Sequence, residues 1–365
     1  MSPGRRMRIL QICSARHFGG GERHFVDLTN GLTRREHEVF VAIVPDSPLL
    51  PELVQIPEKN ILQLPFRKPL GLATAWKLRR FARDNQIEII HAHMARDYPL
   101  AALAVGRAGT AHLVVTRHVL FPMSGLHRLT RRRLSRVIAV SESVAASLRA
   151  QGIFDEGQIT VVRNGIDWSR FRATPREKPG GRLRVGILGE LSPNKGQIHF
   201  VRAAEIVAAE NQNAEFIIAG SDQSPDGDYG RQLKQSIKAS GLREQIQLIE
   251  SKIDVAEFLS SLDLLVSASR SEAFGLAIVE AMACGVPVVA TATDGAREII
   301  EDDQTGRLVK VNDVNQLSAA ISHLLRDGDE RRRISQNAQT MVRERFSLDR
   351  MMTETEAVYR DVLDN

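Results

Sequence analysis

The sequence predicts an α/β fold of two doubly wound parallel-sheet lobes, and three observations predict it. The chain has 365 residues, enough for two domains of ordinary size rather than one or three. Short apolar runs rich in Val and Ile alternate with amphipathic stretches, the rhythm of βαβ units and of a parallel sheet. That rhythm breaks over residues 169–182 (SRFRATPREKPGGR), a polar stretch with two prolines and paired glycines that reads as a linker.

The first lobe, 1–168, has strand-like runs at 7–13, 38–44, 88–91, 111–116, 136–140 and 158–163. The second, 183–347, restarts the rhythm at 183–189, 215–219, 245–249, 262–267 and 287–290. Residues 348–365 are expected to form a C-terminal helix that can pack back on the first lobe. In open parallel sheets a ligand sits beyond the carboxyl ends of the strands. The residues just after each strand are therefore the informative ones.

Composition narrows the function classes. Apolar residues make up 43% and charged residues 25%, an ordinary globular balance. Cys13 and Cys284 each lie in an apolar run, away from metal-ligand spacing, so neither a disulfide framework nor a zinc site is expected. The apolar run after the basic start is too short for a leader core, and the longest apolar stretch, 276–292, is interrupted by Glu280, Gly285 and Pro287. A cytoplasmic protein is expected. Charge is uneven: residues 1–180 hold 28 Lys and Arg against 15 Asp and Glu, and the remainder holds 21 against 29. A basic half fits an anionic substrate, an anionic membrane surface or a solvated face.

After the first strand comes HFGGGERHF, a glycine turn opening a helix, which suits a phosphate. It is not the dinucleotide fingerprint, since G-x-G-x-x-G would need glycine at His24. His91, His93 and His118 fall at strand ends. Only Asp97 has a spacing that could join His91 and His93 around an ion, so no metal is expected. The segment from His127 to Arg136 (HRLTRRRLSR) carries six basic residues with leucines at near-helical spacing. It is expected to be a basic amphipathic helix lying on an anionic membrane surface, which makes the protein peripheral at the inner face of the membrane. Nucleic acid is not expected, because the chain is only 5% aromatic and the patch lacks stacking residues.

In the second lobe, LGELSPNKGQ puts Lys195 in a turn after a strand, where it could neutralise a phosphate. The stretch SRSEAFGLAIVEAMACGVPVVAT follows, with Glu272 and Glu280 eight residues apart. If Phe274-Gly275-Leu276 begins a helix, the eight-residue spacing corresponds to roughly 12 Å, too far for a retaining-hydrolase pair about 5 Å apart. The carboxylates would contact different parts of one extended ligand.

Here the sequence resembles retaining glycosyltransferases of the GT-B architecture, family 4 of that classification, over essentially the whole chain. The resemblance rests on E-x7-E at Glu272 and Glu280, on G-G-x-E at Gly19, Gly20 and Glu22, and on NGID at 164–167. It implies two Rossmann-like lobes facing a cleft, a UDP-, GDP- or ADP-sugar as donor substrate, no cofactor and no metal. It further implies that Glu272 holds donor-sugar hydroxyls and Glu280 the ribose. The amides of Phe274, Gly275 and Leu276, with the loop at Gly19–Gly20, would contact the sugar and diphosphate. Lys195 matches the lysine facing the leaving diphosphate, and His118 the histidine near the reacting sugar. The acceptor would be an anionic or lipid-linked glycan docking on the basic lobe.

The family usually carries arginine five positions before that lysine, where this chain has Glu190. A carboxylate 4 Å from a phosphate charge repels it by about 4 kcal/mol at an effective dielectric near 20. Arg16, Arg163 and Arg270 are the candidate substitute cations. Two alternatives share the same ligand chemistry: a GT-B nucleotide-sugar epimerase, and a non-catalytic two-lobed nucleotide-sugar-binding protein.

Overall fold

A computed structural model describes residues 5–66, 71–105, 111–171, 181–250 and 253–364. The chain divides into two compact units. One comprises residues up to Gly165 together with Leu348 onward, and the other runs from Ile166 to Ser347. Most of the expected linker, residues 172–180, lies outside the described residues.

In the first unit the strands are β1 (Arg8–Cys13), β2 (Glu38–Ile43), β3 (Ile61–Gln63), β4 (Ile89–Ala92), β5 (His112–Arg117), β6 (Leu134–Ala139) and β7 (Ile159–Val161). All pair in parallel, in the order β3-β2-β1-β4-β5-β6-β7. Order reverses between β1 and β4, which makes their carboxyl ends the switch point. Packed around the sheet are α1 (Gly20–Arg34), α2 (Leu72–Asp84), α3 (Tyr98–Val105) and α4 (Glu142–Gln151). Ile9, Ile89, Val114 and Ile138 from four neighbouring strands share one core cluster, as expected of strands buried on both faces.

The second unit repeats the scheme with β8 (Leu183–Leu188), β9 (Ala214–Ala219), β10 (Ile246–Ile249), β11 (Leu264–Ser267), β12 (Val288–Thr291) and β13 (Arg307–Val309), in the order β10-β9-β8-β11-β12-β13. Its helices are α5 (Gln197–Glu210), α6 (Asp228–Ala239), α7 (Val255–Ser260), α8 (Leu276–Ala283), α9 (Asp294–Ile299), α10 (Val314–Arg326) and α11 (Gly328–Arg345).

The chain then returns to the first unit as α12 (Leu348–Asp364). Met352 of α12 fills the space over Gly31 of α1. Tyr359 buries its hydroxyl between Gln11 of β1 and His91 of β4. Glu356 meets Arg35 and His37, each at 3.2 Å.

The expected basic amphipathic helix at 127–136 does not form. Residues 125–129 and 131–133 make short 3-10 turns, and from Leu134 the chain enters β6 between β5 and β7. Sheet pairing and burial of Val137 and Ile138 override the leucine spacing. Four of the six basic groups also have partners within the fold, while Arg128 and Arg132 are exposed. His127 is buried against the Ala95 carbonyl at 2.8 Å, Arg131 pairs with Asp155, Arg133 donates to the Ala102 carbonyl, and Arg136 pairs with Asp361.

Candidate active site

In the second unit, the turns after β8 and β11 are stitched together. Asn194 Nδ2 donates to the Ser271 carbonyl at 2.9 Å, and the Arg270 amide donates to the Asn194 carbonyl at 2.7 Å. This strap brings two sequence-nominated residues into contact: Lys195 Nζ donates to Glu272 Oε2 at 2.7 Å. Ser269 Oγ donates to the same oxygen at 3.2 Å. The Glu272 side chain is 16% exposed and that of Lys195 28%, so the pair is shielded yet open to a ligand.

Glu272 lies in the loop before α8, which begins only at Leu276 with Gly275 as its N-cap. The 12 Å helical separation therefore does not apply: only Leu276 to Glu280 is helical, a rise of about 6 Å. Gly275 offers no capping side chain, so the first amides of α8 are available to an anion or a sugar oxygen. Phe274 is buried with its ring against Phe346, centroids 5.5 Å apart, and can contribute only backbone to a ligand. Glu280 is half-buried on the body of α8.

Glu190 is exposed after β8, and its carbonyl accepts from Gln197 Nε2 at 2.9 Å. Among the candidate substitute cations, Arg270 alone belongs to this unit. It is exposed, and its charge helps to hold His199, on the first turn of α5, below the usual histidine range, where burial acts most.

The remaining nominated residues belong to the first unit. Gly19 and Gly20 are exposed at the start of α1, and Glu22 Oε2 accepts from the Gly19 amide at 3.0 Å, so the motif glutamate caps its own helix. Arg16 is exposed, and Arg163 pairs with Glu142 at 3.4 Å. His118 packs under the first turn of α1, where a side chain at Gly21 would meet its ring at 3.4 Å.

Two groups escaped the sequence reading. The first is a knot at the β1/β4 switch point. Asp97 accepts from the Ser14 amide at 2.9 Å and from Ser14 Oγ, while Arg96 donates to the Ser14 hydroxyl and carbonyl. Burial raises the Asp97 carboxyl to about 6, against the opposing Ser14 hydrogen bonds. A carboxyl raised by folding stabilises fully below its unfolded value near 3.8 and loses that contribution as pH rises through about 6. Wild type should thus lose up to about 3 kcal/mol over that window relative to Asp97→Asn, as read by urea unfolding at a series of pH values. Parallel profiles for the two proteins would refute this.

The second group is a set of histidines. His91 is tied to Tyr359 and Thr116 at 2.6 and 2.7 Å, and Asp97 is occupied by Ser14, so the His91/His93/Asp97 grouping considered from spacing does not exist. Instead His24 of α1 joins His93 and His118, their ring nitrogens within 4.8 Å of one another. Burial holds all three imidazoles below the ordinary range, His24 at about 4.

Two parallel-sheet units, with a lysine–carboxylate pair beside an open helix start in the second, define the GT-B class of sugar-transferring enzymes. The comparisons bear this out. Residues 171–341 match the model of glycosyl transferases group 1, and residues 18–170 that of glycosyltransferase family 4. The chain is a glycosyltransferase and belongs to family 4. It is 28% identical to N-acetyl-alpha-D-glucosaminyl L-malate synthase of Bacillus anthracis over 94% of this chain and 90% of that one. It is also 28% identical to the lipopolysaccharide core biosynthesis mannosyltransferase LpcC of Rhizobium leguminosarum bv. viciae, over 84% and 86%. Among solved structures, HepE of Anabaena in complex with UDP and glucose superposes with a TM-score of 0.85 at 25% identity, covering 98% of this chain and all of that one.

Proposed function

We propose that this glycosyltransferase moves a hexose-type residue from a nucleoside-diphosphate sugar to a lipid-linked or cell-surface glycan acceptor, with retention of anomeric configuration. The observation that carries the reading is the Lys195–Glu272 pair beside the uncapped start of α8. Lys195 stabilises the negative charge that grows on the leaving diphosphate, and the amides of Gly275 and Leu276 add fixed partial positive charge there. Glu272 accepts hydrogen bonds from donor-sugar hydroxyls, and Glu280 from the ribose. Arg270 supplies the cation that Glu190 does not. With lysine, arginine and helix amides performing charge neutralisation, the diphosphate needs no metal.

A UDP-sugar donor is supported by HepE, which is bound to UDP and glucose. A glycan acceptor of the cell envelope is supported by the core mannosyltransferase and suits the basic first half. The test is acceptor-dependent release of nucleoside diphosphate from a panel of nucleotide sugars, without added Mg2+ or Mn2+ and with membrane lipid extract as acceptor source. An altered sugar still joined to nucleotide would indicate an epimerase instead, and binding without turnover a binding protein.

Among the described residues no helix is long and apolar enough to cross a membrane. Peripheral attachment, which 127–136 cannot provide as a helix, falls to α2 in our reading. Leu72 and Trp76 stand one turn apart, 74% and 60% exposed, and Arg80 lies over the Trp76 ring at 5.7 Å, with Lys77 and Arg83 on the same helix. Apolar anchors beside basic residues suit an anionic lipid surface. Cosedimentation with phosphatidylglycerol vesicles should weaken at least ~10-fold in Leu72→Ser/Trp76→Ser and fall with salt. Equal binding by variant and wild type would exclude α2.

A further inference from the structure

Buried polar groups are almost always hydrogen-bonded, which makes the histidine cluster of the first unit unusual. Both ring nitrogens of His24, both of His118 and Nδ1 of His93 are buried without a hydrogen-bond partner in good geometry among the described residues. Such buried groups, left unpaired, oppose folding. They also converge: ring centroids lie 4.7 Å apart for His24–His118, 5.6 Å for His24–His93 and 5.8 Å for His93–His118.

The hydrogen-bond network around His93 fixes which of its nitrogens is open. Gln11 Nε2 donates to the Tyr359 hydroxyl at 3.1 Å, so the amide oxygen of Gln11 faces His93. His93 Nε2 therefore donates to Gln11 Oε1, at 2.7 Å. The lone pair left on Nδ1 meets no donor among the described residues. A histidine whose far N–H is held by a carbonyl, with its near lone pair free, is arranged as metal ligands are, the outer partner setting the tautomer.

We propose that His24, His93 through Nδ1, and His118 form a binding site for a divalent ion of the zinc class. Three neutral imidazoles suit Zn2+ or Co2+, and three ligands leave a fourth position for water or an exchangeable anion. Nitrogens spread over 4.8 Å close around an ion at about 2.0–2.1 Å by small ring rotations. Asn164 completes the surroundings. Its side chain interacts with the His24 ring, and its buried Oδ1 meets no donor in good geometry among the described residues. Once His24 commits one nitrogen to metal, Asn164 can accept from the other. The three histidines all belong to the first unit.

The test uses the full chain, freed of any polyhistidine tag and of metal. Titration with Co2+ should develop the visible bands of a low-coordinate nitrogen site, and one Zn2+ per chain should abolish them. His24→Gln and His93→Gln should each lower zinc affinity at least ~100-fold, and Gln11→Leu about 10-fold, as expected for an outer-sphere partner. Zinc should raise the unfolding temperature of wild type and not of the ligand variants. Absence of a cobalt spectrum at saturation, or equal zinc affinity in wild type and His24→Gln, overturns the site. Should a histidine variant fail to fold, the wild-type cobalt spectrum and Gln11→Leu still decide the matter.

Discussion

Lys195→Ala is expected to slow sugar transfer at least ~100-fold while leaving the protein folded, the scale of removing one preorganised electrostatic partner of the transition state. The reason lies in what the substitution leaves behind. Glu272 would lose the ammonium at 2.7 Å and, among the described residues, keep Ser269 Oγ at 3.2 Å as its side-chain donor, in a side chain 16% exposed. An uncompensated carboxylate would then stand where a diphosphate must dock, and unit charges 4 Å apart repel by about 4 kcal/mol at an effective dielectric near 20.

A specific ordering follows. Glu272→Ala should cost a similar factor in rate, because donor hydroxyls lose their acceptor. Lys195→Ala/Glu272→Gln should bind nucleoside diphosphate more tightly than Lys195→Ala alone, since the repelling charge has gone, yet recover no turnover. Calorimetry with UDP and GDP, beside diphosphate release, checks both statements. Near-wild-type rates in the two single variants would remove this pair from the chemistry. Rate effects that simply add in Lys195→Ala/Glu272→Ala would show that the two groups do not act as a unit.

The strands were legible because parallel strands covered on both faces read as continuous apolar runs. β3 and β13, which escaped, are three-residue edge strands, only partly buried; β7 is as short, but its β-branched run 159–162 is unbroken, whereas Gln63 interrupts the first and Arg307 and Lys310 bracket the second. The segment 127–136 shows the opposite failure: leucine spacing suited a helix, but a neighbouring strand decided the backbone. Within the candidate site, Lys195 and Glu272 could be nominated singly from turns after strands, while their contact depends on the adjacency of β8 and β11 in the sheet. The same limit hid the histidine cluster. His24 sits on α1, and only the sheet order β1-β4-β5 brings His93 and His118 to it. His91 looked equivalent to His93, but Thr116 and Tyr359, the latter 268 positions further on, occupy both ring nitrogens of His91.

The strap between the two turns predicts a large effect from one methyl group. Gly196 adopts φ +72° at the start of α5, and a Cβ there would lie 2.1 Å from the Ala268 carbonyl oxygen and 3.1 Å from the Ala268 side chain. Neither partner is a flexible side-chain end, so the backbone itself must move. Gly196→Ala should destabilise the second unit by about 3 kcal/mol, combining the left-handed penalty of about 1–2 kcal/mol with displacement of the strap. Unfolding temperature should fall by roughly 2–4 °C per kcal/mol in a unit of this size. Gly241 supplies the control: its φ is +73° and no atom of the described residues lies within 4 Å of an added Cβ, so Gly241→Ala should cost only the left-handed penalty. Activity should separate the pair further. Moving the strap shifts Lys195 against Glu272, and a displacement of about 1 Å at a positioned group can cost ~100-fold in rate. Gly196→Ala should therefore lose most turnover below its own melting transition, while Gly241→Ala keeps it. Equal stability and equal rates in the two variants would mean that the turn yields without strain, and that the strap does not hold Lys195 in register with Glu272.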